Sequence, residues 1–124
     1  MTLSVMDPTP TWDADAHEET VAAFERLAAD DDVSITLWCR DDCPDCRREM
    51  PGFAAAIAAA GFPDERVRQI RVDDDNDGEL ADEYGVERIP TIVVERDGAE
   101  LARFVEAEPL PAAQYLAEEL ANSV

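Results

Sequence analysis

The stretch that decides the fold is Val33-Ser34-Ile35-Thr36-Leu37-Trp38-Cys39-Arg40-Asp41-Asp42-Cys43-Pro44-Asp45-Cys46. Its first six residues are mostly β-branched, aliphatic or aromatic, which predicts a buried strand. Their near-continuous apolarity is typical of a central parallel strand covered on both faces. The residues that follow Cys46, above all 53–60, predict a helix. Cys43 therefore stands at a strand-to-helix turn, with Pro44 suited to the first helical position.

Two cysteines separated by two residues are compatible with a redox dithiol, a small-ring disulfide or half of a zinc site. At the start of a helix the Cys43 sulfur lies near unpaired N–H groups and the positive end of the helix dipole, and both favour the thiolate. Structural zinc needs four ligands, and the remaining candidates, Cys39 and His17, do not form a second ligand pair. The sequence therefore favours a redox dithiol without a metal.

Position along the predicted helix distinguishes the two thiols. Cys43 precedes the helix and is expected to be the exposed nucleophile, whereas Cys46 lies one turn inside and is expected to resolve the mixed disulfide. Cys39 falls on the incoming strand, so we predict a small buried residue there rather than a third redox centre. His17 is predicted at an ordinary surface position of the first helix.

Several features downstream have a characteristic order. Pro51 follows Cys46 by five residues, Asp77 to Val86 predicts a short helix leading into Gly-Val, and Ile89-Pro90-Thr91 precedes a hairpin through Asp97-Gly98. Together with the cysteine pair, this order resembles thioredoxin from roughly Val33 to Leu120. The resemblance implies an α/β thioredoxin fold, a central mixed β-sheet flanked by helices, which agrees with the predicted alternation of strands and helices.

The resemblance also implies a substrate site. In this family the proline of the Ile-Pro-Thr triplet is cis and lies beside the cysteines, and the neighbouring backbone can pair with a substrate strand. The residues that correspond to this surface and to the turn around the dithiol are the candidate substrate-binding residues: Asp42, Pro44, Asp45, Ile89 and Pro90. The catalytic candidates are Cys43 and Cys46.

Three positions depart from the family pattern. Asp42 stands where thioredoxins usually carry Trp, Leu37 stands where they often bury an aspartate, and Pro44-Asp45 replaces Gly-Pro. Without the buried aspartate, Cys46 lacks the usual proton acceptor, and Asp41, Asp45 or water would have to substitute. Asp42 is expected to raise the Cys43 pKa, in opposition to nearby arginines and the helix dipole.

These features predict a cytoplasmic thiol–disulfide oxidoreductase that reduces protein disulfides, without a metal or organic cofactor. Its expected partners are disulfide-containing proteins and an electron-donating reductase, and we expect a monomer that binds neither nucleic acid nor membrane. Two alternatives remain open at this point. One is a thioredoxin-like binding or redox-sensing module, and the other is a glutaredoxin-like enzyme that uses a low-molecular-weight thiol.

Length and composition place bounds on these predictions. The 124 residues are expected to form one domain, with a loose N-terminal tail over residues 1–12 and a thioredoxin-like domain over residues 13–124. No run approaches the ~18 apolar residues of a membrane span, and we expect no signal peptide because the first ten residues lack a basic start and an apolar run. Three cysteines fit a reducing cytosol better than a secreted disulfide framework.

The charge balance is strongly acidic, with 30 Asp plus Glu against 10 basic residues, all of them Arg. We interpret this as adaptation to high salt, where self-repulsion is screened over a Debye length of ~3 Å at 1 M, and as the mark of a halophilic archaeon. GC-rich coding would also replace Lys with Arg. A nucleic-acid partner is disfavoured because phosphate binding requires a basic surface.

The segment Asp73 to Leu80 resembles the first eight positions of a calcium-binding EF-hand loop. The twelfth position, which should be a bidentate Glu, is Tyr84, and a predicted strand precedes the loop instead of a helix. We therefore predict a polar connection between a strand and a helix, with Asp or Asn caps, rather than a calcium site.

Overall fold

A computed structural model describes residues 3–75, 77–106 and 110–122 of the chain. It contains four helices and four strands, with short 3₁₀ segments at Ser4–Met6, Ala14–His17 and Asp64–Arg66. The helices are α1 (Glu18–Ala28), α2 (Pro44–Ala59), α3 (Ala81–Tyr84) and α4 (Ala112–Asn122). The strands are β1 (Val33–Cys39), β2 (Val67–Arg71), β3 (Thr91–Arg96) and β4 (Ala99–Val105).

The four strands form one mixed sheet in the order β2-β1-β3-β4. Strand β1 is central, parallel to β2 and antiparallel to β3, while β3 and β4 form the antiparallel hairpin through Asp97 and Gly98. Both turn residues have positive φ, which Gly adopts without steric cost and Asp tolerates. The predicted fold, a mixed sheet flanked by helices, is confirmed.

The core explains why β1 is nearly continuous in apolar residues. Six of its seven residues are buried, and Ile35, Leu37, Trp38 and Cys39 have no exposed surface. Trp38 contacts Tyr84 of α3 with ring centroids 5.1 Å apart, and its indole N–H donates to the Glu79 carbonyl at 2.9 Å. The strand from which the dithiol turn departs is therefore held by packing on each side and by a hydrogen bond.

The amino-terminal segment corrects one prediction. Residues 3–6 do not form a loose tail, because Leu3, Val5 and Met6 are 4–7% exposed and belong to the core. The Leu3 N–H donates to Gln69 Oε1 at 2.8 Å, and the Val5 N–H donates to Asp41 Oδ1 at 3.2 Å. Three large apolar side chains in four residues pack into a hydrophobic site beside α2. The free energy gained by burying them exceeds the conformational-entropy cost of ordering this short segment.

Among the residues that the structure describes, no helix has the length and apolar character needed to cross a membrane.

Candidate active site

The two candidate catalytic cysteines lie where β1 gives way to α2. Cys43 occupies the N-cap of α2 with extended backbone angles (φ −84°, ψ 122°), and Pro44 takes the first helical position, as the sequence predicted. The Cys43 carbonyl accepts the first helical hydrogen bond, from the Arg47 N–H at 3.0 Å. All three cysteines of the chain are free thiols. The turn therefore presents a reduced dithiol at a helix start.

The two thiols differ in access to solvent. Cys43 is 8% exposed and Cys46 is 0% exposed, so the order is the one expected from their positions, although Cys43 is more enclosed than an exposed nucleophile. A partner protein can therefore contact Cys43 on the exposed side of this turn, whereas it cannot contact Cys46.

Burial controls the ionisation of Cys43. It raises the Cys43 pKa above its usual value, as does the neighbouring Cys46, while the backbone N–H groups of Cys46 and Asp45 lower the pKa by hydrogen bonding. The helix start therefore acts in the predicted direction, but the loss of water around a partly enclosed sulfur is the larger effect.

Cys46 behaves in the opposite way. A hydrogen bond with the Cys39 side chain lowers the pKa of Cys46 to about 7, against the raising effect of burial, and the Arg40 backbone N–H and the Cys43 thiol contribute further hydrogen bonds. The hydrogen bond between the Cys43 and Cys46 thiols raises the Cys43 pKa and lowers the Cys46 pKa, so it favours the negative charge on Cys46.

The carboxylates near the dithiol are engaged by partners. Asp42 is exposed and pairs with Arg40 at 2.9 Å, which offsets its charge. Asp41 accepts from the Val5 N–H and pairs with Arg71 at 2.8 Å, so it ties the amino-terminal segment to β2. Burial, rather than Asp42, is the leading cause of the raised Cys43 pKa.

The Ile89-Pro90 triplet lies at the start of β3. The peptide bond between Ile89 and Pro90 is cis, and both residues are buried. Thr91 is paired with Trp38 in the β1–β3 register, one residue before Cys39, which brings the proline loop to the same end of the sheet as the dithiol turn. The Pro90 carbonyl accepts the Glu106 N–H at 3.1 Å.

Glu106 is a residue of this region that the sequence analysis did not single out. Its carboxyl group contacts that of Asp45, between the two cysteines, which raises the Glu106 pKa and lowers the Asp45 pKa. Asp45 also pairs with Arg48 at 2.7 Å. The hairpin register contains the signal for this placement, because Val105 pairs with Thr91 and the next residue must then lie beside Pro90.

Of the other candidate ligands, Cys39 contacts Cys46, whereas His17 and the acidic residues have other partners. Of the described residues, only Asp73, Asp75 and Asp77 bring three potential ligand atoms within 4.8 Å of one another, and all three are exposed. Asp73 Oδ1 accepts the N–H groups of Asp75 and Asp77, as a polar connection requires. Tyr84 donates to Glu95 at 2.7 Å. His17 stacks on Trp12 with centroids 4.8 Å apart and contacts Gln114.

A dithiol at a helix start, on a mixed α/β sheet and at the same end as a cis-proline loop, defines the class of thiol–disulfide oxidoreductases. The thioredoxin family model matches residues 14–119, and the chain belongs to the thioredoxin family. It is also similar to a protein disulfide-isomerase of Drosophila melanogaster, at 29% identity over 80 residues, which are 64% of this chain and 16% of that relative. The chain thus spans only a small part of that relative's length.

Two solved structures agree on the fold. The thioredoxin of Fasciola hepatica matches with a TM-score of 0.53 and 23% identity, covering 90% of this chain and 94% of the other. The oxidized mitochondrial thioredoxin 3 of Saccharomyces cerevisiae matches with a TM-score of 0.50 and 22% identity, covering 79% of this chain and 89% of the other.

Proposed function

We propose that this protein reduces protein disulfides by dithiol exchange, with Cys43 as the nucleophile and Cys46 as the resolving thiol. The observation that carries this proposal is the arrangement of the pair: two free thiols at a helix start, of which only Cys43 has exposed surface. A substrate disulfide must be attacked by the thiol that it can reach, and a buried second thiol is suited to intramolecular displacement.

The reaction proceeds in two exchanges. Transfer of the shared proton between the two sulfurs supplies the Cys43 thiolate, which attacks one substrate sulfur, and the other substrate sulfur leaves with the electron pair. Cys46 then passes the proton that it received to the departed substrate thiolate, and the resulting Cys46 thiolate attacks Cys43. The Cys43–Cys46 disulfide forms, and the second substrate sulfur leaves as thiolate. The substrate gains two electrons and the protein loses two, so a reductase must restore the dithiol.

Substrate docking is assigned to the proline loop and the dithiol turn. The Pro90 carbonyl is already paired with Glu106, so backbone pairing with an extended substrate falls to Ile89. Asp42, Pro44 and Asp45 form the rim that a substrate meets before it reaches Cys43. A rim with two carboxylates, each paired with an arginine, favours substrates with polar surroundings over apolar ones.

We infer that the protein needs no metal or organic cofactor and acts in the cytoplasm as a monomer that receives electrons from a reductase. A reducing compartment keeps such a dithiol in its active form.

Reduction of insulin by dithiothreitol, followed as turbidity, tests the proposal against a binding or sensing module. Wild-type protein in molar salt is expected to accelerate insulin precipitation. With Cys43→Ser or Cys46→Ser, insulin should precipitate at the rate seen with dithiothreitol alone. Equal rates with and without wild-type protein would reject an enzymatic role. Dependence of activity on added glutathione would instead favour the glutaredoxin-like alternative.

A further inference from the structure

The turn that leads into Cys43 is held in place by one of its own side chains. Asp41 and Asp42 are the central residues of a β-turn, which closes where the Cys43 N–H donates to the Arg40 carbonyl at 3.3 Å. Asp41 Oδ2 accepts a hydrogen bond from Arg71 Nη2 at 2.8 Å. Arg71 is the last residue of β2, so this ion pair ties the turn to the sheet.

The other oxygen of the same carboxylate holds the amino-terminal segment. Asp41 Oδ1 accepts from the Val5 N–H at 3.2 Å, and the Val5 side chain is buried. Leu3 and Met6 are buried as well, and the Leu3 N–H donates to the side chain of Gln69 in β2. The groups that Asp41 binds are therefore anchored themselves. One carboxylate thus joins the turn, the edge of the sheet and the amino-terminal segment.

The neighbouring carboxylate has a different role. Asp42 is 78% exposed in its side chain and pairs with Arg40 at 2.9 Å, within the same turn. Arg40 also donates to the Asp73 carbonyl at 3.2 Å, but Arg40 directly follows β1, so this bond acts where the strand already holds the backbone. Asp41 lies one residue further along the turn, and its side chain is only 28% exposed. Loosening Asp41 should therefore affect Cys43 more directly.

We propose that Asp41 is a positioning residue for the nucleophile: its bonds to Arg71 and Val5 fix the turn 40–43 and keep the Cys43 side chain enclosed. This inference rests on the proposed function, because it takes Cys43 as the attacking thiol. Enclosure slows reaction with bulky reagents that do not dock on the protein. A substrate that docks at the proline loop meets a sulfur already held in one place, and this orientation favours exchange.

Access to Cys43 can be measured separately from its ionisation with two neutral reagents of different size. Iodoacetamide and N-benzyliodoacetamide both react with the thiolate, which displaces iodide and forms a thioether. At one pH the thiolate fraction cancels from the ratio of the two rate constants, bulky over small. Peptide mass mapping of samples quenched at short times, in molar salt, gives this ratio for Cys43. A purely electrostatic effect of Asp41 on the thiol leaves the ratio unchanged.

Asp41→Asn and Arg71→Gln break the same ion pair from its two sides. We expect each variant to raise the ratio at Cys43 about threefold, the size typical of a partly exposed ion pair. The double variant should not exceed Asp41→Asn, because both substitutions act through one contact. Arg71→Lys keeps the positive charge and should retain most of the wild-type ratio. Asp31→Asn, at an exposed position before β1, controls for the lost negative charge and should have no effect.

Insulin reduction should change in the opposite direction. At subsaturating insulin, Asp41→Asn and Arg71→Gln should act about threefold more slowly than wild type, although the bulky reagent labels Cys43 faster. Cys39 has no exposed surface and reports opening of the whole fold in the same digests, so its labelling should stay slow.

An unchanged ratio at Cys43 in both single variants would overturn the inference. A rise at Cys39 that matches the rise at Cys43 would do the same, since it would mean that the substitutions loosen the whole fold. Failure of wild type to reduce insulin would instead reject the proposed function, whatever the labelling ratio, so the two failures are distinguishable.

Discussion

At the scale of single residues, Cys43 and Cys46 divide the two properties that govern thiol reactivity. Cys46 has the lower pKa, about 7, but no exposed surface, whereas Cys43 has a raised pKa and some exposed surface. Ionisation would favour Cys46 as the reactive thiol, and access favours Cys43. Access decides for a bulky disulfide, because the attacking sulfur must approach in line with the sulfur–sulfur bond.

Alkylation provides a direct test of this ordering. In reduced, folded protein near neutral pH, we expect iodoacetamide to label Cys43 several-fold faster than Cys46, with Cys39 labelled last, because access limits the reaction. Peptide mass mapping of samples quenched at short times measures the three rates. Denatured protein serves as the control, in which all three cysteines should react alike. Faster labelling of Cys46 in the folded protein would reverse the assignment of nucleophile and resolving thiol.

The carboxyl pair of Asp45 and Glu106 gives a pH dependence of stability with a definite sign. Contact with Asp45 raises the Glu106 pKa above 4.5, so the folded state holds this proton more tightly than the unfolded state does. The associated stability is fully present below pH 4.5 and is lost as pH rises through the raised pKa. The lowered Asp45 pKa acts in the opposite sense and at lower pH, below 3.8.

Urea unfolding of wild type and Glu106→Gln tests this sign. The stability of wild type relative to the variant should decrease as pH rises from 4.5 towards neutrality, because the glutamine cannot ionise. Glu118→Gln, at an exposed position of α4, controls for the loss of one negative charge. A relative stability of wild type that increases over this range would show that the two carboxyl groups are not in contact in solution.

At the scale of elements, the amino-terminal segment stabilises the domain although it lies outside the helices and strands of the sheet. Val5 and Met6 of the first 3₁₀ segment are buried beside α2, and the Val5 N–H is tied to Asp41. Asp41 lies two residues before Cys43, so the segment also supports the dithiol turn.

Met6→Ala should therefore lower the free energy of unfolding by about 2 kcal/mol, near the lower end of the range for a buried Met because the side chain keeps 7% of its surface exposed. Asp7→Ala, at an exposed position beside it, should change the free energy by less than about 0.5 kcal/mol. Urea denaturation of the two variants measures both values. Equal effects of the two substitutions would mean that the segment does not pack in solution.

The elements also show where sequence reasoning succeeds. The apolar run of β1, the Cys43-Pro44 helix start and the Asp97-Gly98 hairpin were predictable because each is encoded by neighbouring residues. The packing of Leu3 to Met6 was not, since prolines at positions 8 and 10 suggested a tail and the partner site on α2 is distant in sequence. The Asp45–Glu106 contact likewise depends on strand register. The Cys39–Cys46 contact depends on how α2 packs against β1.

At the scale of the whole molecule, net charge is the dominant feature. A formal net charge of −20 on 124 residues produces strong self-repulsion in the folded state at low ionic strength. Several arginines form local ion pairs, including Arg40, Arg48 and Arg71, but ten arginines cannot balance thirty carboxylates. Salt reduces the Debye length from ~10 Å at 0.1 M to ~3 Å at 1 M and so weakens the repulsion.

We therefore expect the thermal midpoint of unfolding to rise between 0.1 M and 2 M KCl. Most of the rise should occur below about 1 M, because the Debye length is already as short as ~3 Å at that concentration. Differential scanning calorimetry measures the midpoint. Sucrose at matched osmolality is the control, because it stabilises compact states without screening charge. A midpoint that does not change with KCl would reject adaptation to high salt.

The central claim is that Cys43 attacks and Cys46 resolves, and trapping the mixed disulfide tests it most directly. Reduced Cys46→Ser and Cys43→Ser proteins are incubated in molar salt with native insulin, whose disulfides are intact. The reactions are quenched with acid and analysed by intact mass and peptide mapping. The account predicts a stable insulin adduct on Cys43 in the Cys46→Ser protein and little or none in the Cys43→Ser protein. An adduct that forms readily on Cys46 of the Cys43→Ser protein would contradict it.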